Sequence, residues 1–345
     1  MIVGIIWAIF AGLILGLYAM PEKFTKDFKY ENTWSLFFLL TMFVVPIITS
    51  ISLIDGFQDI FGNMPTDILL KMALASFLWG TGVMMWGKAI NHIGLSLGFS
   101  IFIGTIILIG SVLPFLVDGL PPENSLILIL LGILVVLFGV ILNAKAGLIR
   151  ERNELDNTQG DTSANVIRGS MAKGILIAVT GGLLATGFSY ANAVGRPYLH
   201  EASTSAGNAN WITAVAVMFP IFISGGIAMT TYFIWQLSKK KAWDNFKTPH
   251  FSKNFFLILI MAVFHYAASA LFAYAAYKLG DAGNTVGYAI FNTASVATAI
   301  VTGLITREWV QASKKAKAYL YAGLALMIVG IVIIAIGNGM AESGV

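Results

Sequence analysis

Cysteine is absent from this chain of 345 residues, and charge is scarce, with Lys, Arg, Asp and Glu making up 11% of it. The first absence excludes disulfides, thiolate metal sites and cysteine nucleophiles together. The second leaves about half the charged fraction of a soluble domain, which is roughly 25%. Catalytic signatures are missing as well: there is no G-x-S-x-G elbow, no H-E-x-x-H and no Walker-type glycine-rich loop. That disfavours an ATP-driven pump or a membrane hydrolase, and no enzyme activity is expected. The opening MIVGIIWAIFAGLILGLYAM has no basic residue ahead of its apolar run and no small-x-small cleavage site, so it reads as a retained span rather than a removed signal peptide.

What the chain does have is apolar surface. Hydrophobic residues make up 57% of it, and they arrive in runs near the roughly 20 residues that cross a bilayer. The expected fold is an all-α integral membrane protein with ten transmembrane helices, near 2–20, 33–54, 68–90, 94–117, 125–143, 174–194, 211–237, 254–277, 283–306 and 318–338. A polar connector divides them, giving a first five-helix half at 1–144, a connector at 145–173 and a second half at 174–345.

The 21 Lys and Arg sort themselves by loop. All fall in or beside odd-numbered connections except Lys71, Arg196 and Lys278. Basic loops stay on the cytoplasmic side, so both termini are expected outside, in a bacterial inner membrane. The net charge of +4 then reports orientation toward lipid headgroups, and no nucleic acid partner is implied.

A short phrase occurs twice. GLSLGFSIF begins at Gly94 and GNTVGYAIF at Gly283, opening the fourth and ninth expected spans. A unit with an odd number of spans, copied in tandem, sits upside down in its second copy. Five plus five therefore reads as an inverted repeat, the recurrent plan of secondary transporters. Close helix packing also explains the Gly pairs at small-xxx-small spacing.

Every one of the 17 acidic residues falls in an expected loop or at a span edge. One titratable side chain, His265, lies deep, either as a functional group or as a neutral imidazole bonded within the bundle. Tyr266 and Ser269 share its span. Tyr288, Asn292 and Ser295, with Thr285 and Thr302, recur at helical spacing on one face of the ninth span, and Ser189, Tyr190 and Asn192 form a polar set in the sixth. Such faces suit a hydroxylated solute, whose groups need partners once dehydrated, or serve as interhelical glue. Trp79 and Trp86 either face a path, where a ring packs on a sugar's C–H face, or pack between helices; Trp34 and Trp211, at span ends, read as interface anchors. Glu31, at the start of the second span, and His200 with Glu201 beyond the sixth are candidates for a gate or proton relay, against the alternative of solvated loop charge.

Four stretches in order, LYAMPEKFTKDFKYENTW (17–34), LWGTGVMMWGKAINHIGLSLG (78–98), KGILIAVTGGLLATGFSYANAVGRPYLHEAS (173–203) and GLITREW (303–309), resemble the bacterial L-rhamnose-proton symporter family of the drug/metabolite transporter superfamily. The resemblance runs over nearly the whole chain. It implies uptake of a small sugar, L-rhamnose, with protons across the lipid bilayer, by alternating access, with the proton gradient as energy source and no cofactor. A carrier for another sugar or metabolite would share every architectural feature, and a non-transporting membrane sensor is the remaining class.

Overall fold

The computed structural model describes residues 2–93, 95–112, 119–157, 171–280, 283–307 and 309–343. Their regular structure is all helix, with no strand among them. Helix α1 spans Ile2–Leu17 and ends in a 3-10 turn at Met20–Phe24. The second span is α2, Tyr30–Leu39, then a π turn at Leu40–Val44, then α3, Val45–Leu53. A short α4, Phe57–Gly62, leads to α5, Thr66–Ile93, and α6, Leu95–Val112. Helix α7 covers Glu123–Asn157, so it continues past the apolar run that ends near 143 and into the connector. Gly94 and most of the rest of the connector, 158–170, lie outside the described residues.

In the second half, α8, Met171–Ala185, and α9, Gly187–Ser205, form one apolar segment interrupted at Thr186, whose hydroxyl donates to the Leu183 carbonyl at 2.7 Å. Helix α10 is Ile212–Lys239, α11 is Phe251–Lys278, α12 is Val286–Ile305 and α13 is Lys314–Ser343. Among the described residues nine helical segments are long and apolar enough to cross a membrane, and Ile101–Gly110 within α6 is a shorter apolar stretch.

Packing follows small residues. Helices α7 and α13 run antiparallel, with Gly132 against the Gly330 carbonyl and Gly139 against the Gly323 carbonyl. Helix α1 lies on α11 and α12, its Gly12 against Phe291 and Ala294; helix α8 lies on α5 and α6, its Gly182 against Phe102 and Thr105. In a membrane, where hydrophobic burial does not drive helices together, such close approach supplies the dispersion contact. One close crossing is at Gly187, where an added Cβ would overlap the Ala75 carbonyl oxygen. Gly187→Val is expected to destabilise the protein by about 3 kcal/mol, read as a lost or lowered melting transition in detergent, whereas Gly62→Ala, at a site with nothing within 4 Å, leaves it unchanged.

Both ends of the bundle are clipped by asparagine. At the end carrying the lysine-rich loops, Asn32 donates from Nδ2 to the Ala242 carbonyl at 2.8 Å, just past the end of α10. At the opposite end, Asn208, just ahead of α10, donates from Nδ2 to the Asp55 carbonyl at 2.8 Å and accepts the Asp55 N–H at 2.9 Å. Asn254 ties the start of α11 to Lys26 in the same two-bond manner, at 3.0 and 2.7 Å. In the loop after α10, the exposed Asp244 carboxyl is held below the usual carboxylate range by a hydrogen bond from Lys247.

A candidate solute cavity open at the basic end

A cavity of about 620 Å³ enters from the lysine-bearing end and reaches the middle of the helices. Its mouth is polar, with Tyr30, Glu31, Gln236 and Lys240 around it. Its walls are aromatic, including Tyr18, Trp34, Phe37, Trp86 and Phe233, and its floor is formed by Met42, Trp79, His265, Asn292 and Ser295.

At the mouth, Lys240 pairs with Glu31, whose side chain is only 8% exposed while the lysine is half exposed. The geometry follows from the helix ends: Glu31 sits in the first turn of α2, where the dipole favours negative charge, and Lys240 just beyond the last turn of α10, where it favours positive. Gln236 donates from Nε2 to the Tyr232 hydroxyl at 2.7 Å. Trp34 is not a simple interface anchor; its ring lines the cavity, and its Nε1 donates to Glu22 Oε1 at 2.8 Å. That bond fixes the indole plane as a wall.

At the floor, Asn292 donates from Nδ2 to the Tyr288 carbonyl at 2.9 Å, and Ser295 donates its hydroxyl to the Asn292 carbonyl at 2.8 Å. The proton of Ser295 is thereby used within α12, so that its oxygen and the amide oxygen of Asn292 are turned to acceptor duty. His265 completes the floor. Its ring is held by Tyr18 at 5.1 Å, Phe37 at 5.4 Å and Phe222 at 5.6 Å between centroids, with Thr41 at 3.1 Å from Nδ1.

Beyond the floor the described residues pack against one another. Asn192 donates its amide to Asn284, and the Ser189 hydroxyl lies 3.0 Å from the Asn284 carbonyl and 3.2 Å from the Gly110 carbonyl. Phe188, Phe272 and Tyr288 fill the space below them, with Phe272 and Tyr288 at 5.5 Å and Phe188 and Tyr288 at 6.2 Å. Trp79, 5.1 Å from Phe188, joins this plug to the cavity floor.

Of the residues singled out from the sequence, Glu31, Trp79, Trp86, His265, Asn292 and Ser295 line the cavity. Ser189, Asn192 and Tyr288 lie in the closed layer. Tyr266 and Ser269 are buried within the bundle, Ser269 donating to the His265 carbonyl at 3.0 Å, and Tyr190 is half-buried against the core. His200 lies at the far end, its Nδ1 3.0 Å from the Thr213 hydroxyl, and Glu201 is exposed beside it. Tyr18, Tyr30, Thr41, Gln236 and Lys240 were not singled out, and the last two carry no signal in sequence beyond ordinary helix-end polarity. Among the described residues no three His, Asp or Glu side chains gather as a metal would require.

The arrangement, aromatic faces between two polar ends with access from one side, fits a small polar solute with apolar faces. The model of the L-rhamnose-proton symport protein family (RhaT) matches residues 1–342. L-rhamnose-proton symporters of Yersinia pestis (strain Pestoides F) and Yersinia pseudotuberculosis (serotype O:1b, strain IP 31758) are each 25% identical to the chain, over 97% of it and 98% of their own length.

Proposed function

The chain belongs to the L-rhamnose-proton symport family and is a multi-pass membrane protein, and from that premise we propose that it imports L-rhamnose, or a sugar close to it, together with protons. The observation that carries the reading is the cavity, which among the described residues is lined at its mouth by polar groups of the lysine-bearing end and stops at a packed layer in mid-bundle. A 6-deoxy sugar offers a methyl group and C–H faces to the aromatic walls, and hydroxyls to Asn292, Ser295 and His265 at the floor. Each hydroxyl that loses water needs such a partner.

Alternating access follows in our reading from two inverted five-helix halves, with α6 counted as the fourth of ten spans. The packing supports this. Exchanging each span with the one five places later carries the contact of α1 with α12 onto that of α8 with α6, and α1 with α11 onto α8 with α5. The same exchange relates the two asparagine clips, Asn32 to Ala242 and Asn208 to Asp55. With basic loops cytoplasmic, the cavity is the inward-facing state, both termini are outside, and the membrane is the bacterial inner membrane.

Proton coupling is assigned first to His265, which meets the cavity at its floor, and next to Glu31 at its mouth; His200 and Glu201, at the closed end, would meet protons only from outside. The test is uptake of radiolabelled L-rhamnose into proteoliposomes. An inward proton gradient is expected to stimulate uptake at least severalfold, competed only by close relatives of rhamnose. Because the proton is a co-substrate, the rate falls as external pH rises, and His265→Ala flattens that dependence. An unaltered pH profile in the variant removes His265 from the coupling step; no uptake by folded, inserted protein removes rhamnose.

A further inference from the structure

The two ring nitrogens of His265 have unlike surroundings. Nδ1 lies 3.1 Å from the Thr41 hydroxyl oxygen, and that oxygen lies 3.2 Å from the Ala262 carbonyl oxygen. A carbonyl oxygen can only accept, and the hydroxyl carries a single proton. If that proton pointed at Nδ1, the hydroxyl and carbonyl oxygens would face each other with nothing between them. With the proton directed at Ala262, the hydroxyl is free to accept from an Nδ1–H, and both contacts become hydrogen bonds. Nε2 has no partner among the described residues and is not among the buried orphan atoms, while the residue lines the cavity.

We infer that Thr41 is a positioning residue: it holds the neutral His265 ring in its Nδ1–H form, leaving Nε2 toward the cavity as a bare nitrogen that accepts from a sugar hydroxyl and, once it takes the coupling proton, donates to a sugar oxygen instead. The inference rests on the sugar-transport reading for its ligand, though not for its geometry.

The local fold explains why a threonine in an apolar run does this. Thr41 is fully buried and belongs to the π turn Leu40–Val44, closed by the bond from the Val45 N–H to the Leu40 carbonyl. Such turns carry one more residue than an α turn and so redirect the side chains within them, often at functional sites. Here Phe37 and Thr41 reach the same ring while Met42 reaches the cavity floor. Tyr18 and Phe222 flank the imidazole on other sides, so it has little freedom to turn over. Which nitrogen of a histidine carries the proton is set by the bond the other makes, and in this floor that bond belongs to Thr41. An acceptor at Nε2 adds to the oxygens of Asn292 and Ser295, giving a floor that selects solutes rich in donor hydroxyls.

The tautomer is readable without transport. The full chain, with its 4 histidines labelled with ¹⁵N, is placed in lipid nanodiscs at a pH where the ring is neutral, and His265→Gln identifies the His265 signals. The expected spectrum has a protonated, pyrrole-type Nδ1 and a pyridine-type Nε2, with L-rhamnose moving the Nε2 resonance and leaving Nδ1 in place. Thr41→Val is expected to shift the ring toward the Nε2–H form and raise the KM for sugar about tenfold, the equivalent of about 1.4 kcal/mol. Thr41→Ser is expected to restore both. A wild-type ring protonated at Nε2 overturns the inference, and that spectrum decides even where Thr41→Val does not insert. An unchanged tautomer in a folded Thr41→Val overturns it too. The expected tautomer with no response to L-rhamnose, and no uptake of it, leaves Thr41 in its role and overturns the sugar as ligand.

Discussion

A single cysteine replacing Ser295 is expected to react fully with a membrane-impermeant thiol reagent added on the lysine-loop side, and one replacing Ser189 to react at least tenfold more slowly. The chain has no cysteine of its own, so each variant reports one position without background. Ser295 lines the open cavity, whereas Ser189 is fully buried in the closed layer between the Asn284 and Gly110 carbonyls. Reaction requires a thiolate, and therefore water, at the sulfur, which a cavity admits and a packed layer excludes. Serine to cysteine is also the mildest available change at both. Bound sugar is expected to protect Ser295→Cys. During turnover, Ser189→Cys is expected to gain reactivity toward reagent on the opposite side, as the closed layer opens. Equal rates at the two positions would contradict a one-sided cavity.

Replacing Asn292 by leucine is expected to cut sugar uptake at saturating proton gradient by roughly tenfold or more. The change keeps the branched shape and the number of side-chain heavy atoms in a position that is 7% exposed, so packing against Tyr288 and Ser295 changes little. What it removes is the amide oxygen at the cavity floor and the bond from Nδ2 to the Tyr288 carbonyl. A sugar hydroxyl buried there without its partner costs about 1–3 kcal/mol, equivalent to roughly 5–150-fold. The loss should appear mainly in KM, with the melting temperature within a few degrees of wild type. Asn292→Asp, which keeps the acceptor oxygens and adds charge, separates geometry from chemistry: it should retain more uptake than leucine at acid pH and lose it as the carboxyl ionises. Uptake unaffected by leucine would take Asn292 out of the sugar site.

The predicted polar stripe on α12 shows how far periodicity carries. Asn292 and Ser295 are read correctly as sharing a face, because a helix turns by a fixed angle per residue. Periodicity gives no depth, however, and Tyr288, one turn earlier on that face, lies in the closed layer with Phe188 and Phe272. Trp34 shows a second limit. A tryptophan at a span end has the same sequence signature whether it faces lipid headgroups or, as here, bonds to Glu22 and walls a cavity. Thr41 leaves almost no trace within FFLLTMFVV, since a π turn has no compositional mark. Glu31 and Lys240 lie 209 positions apart, and each alone is an ordinary helix-end charge.

The sequence by itself determined that the chain is helical and lies in a membrane, because too few polar groups are present for any other solvent, and it marked where basic loops gather and which residues could bond a solute. Tertiary structure alone decided which of those residues share a cavity, which of them lie in the packed layer beyond it and which ring nitrogen of His265 meets Thr41. The reason is physical. Partition into lipid is a sum over residues and can be read locally, whereas a cavity exists only where helices distant in the chain fail to meet, and that depends on how all of them pack.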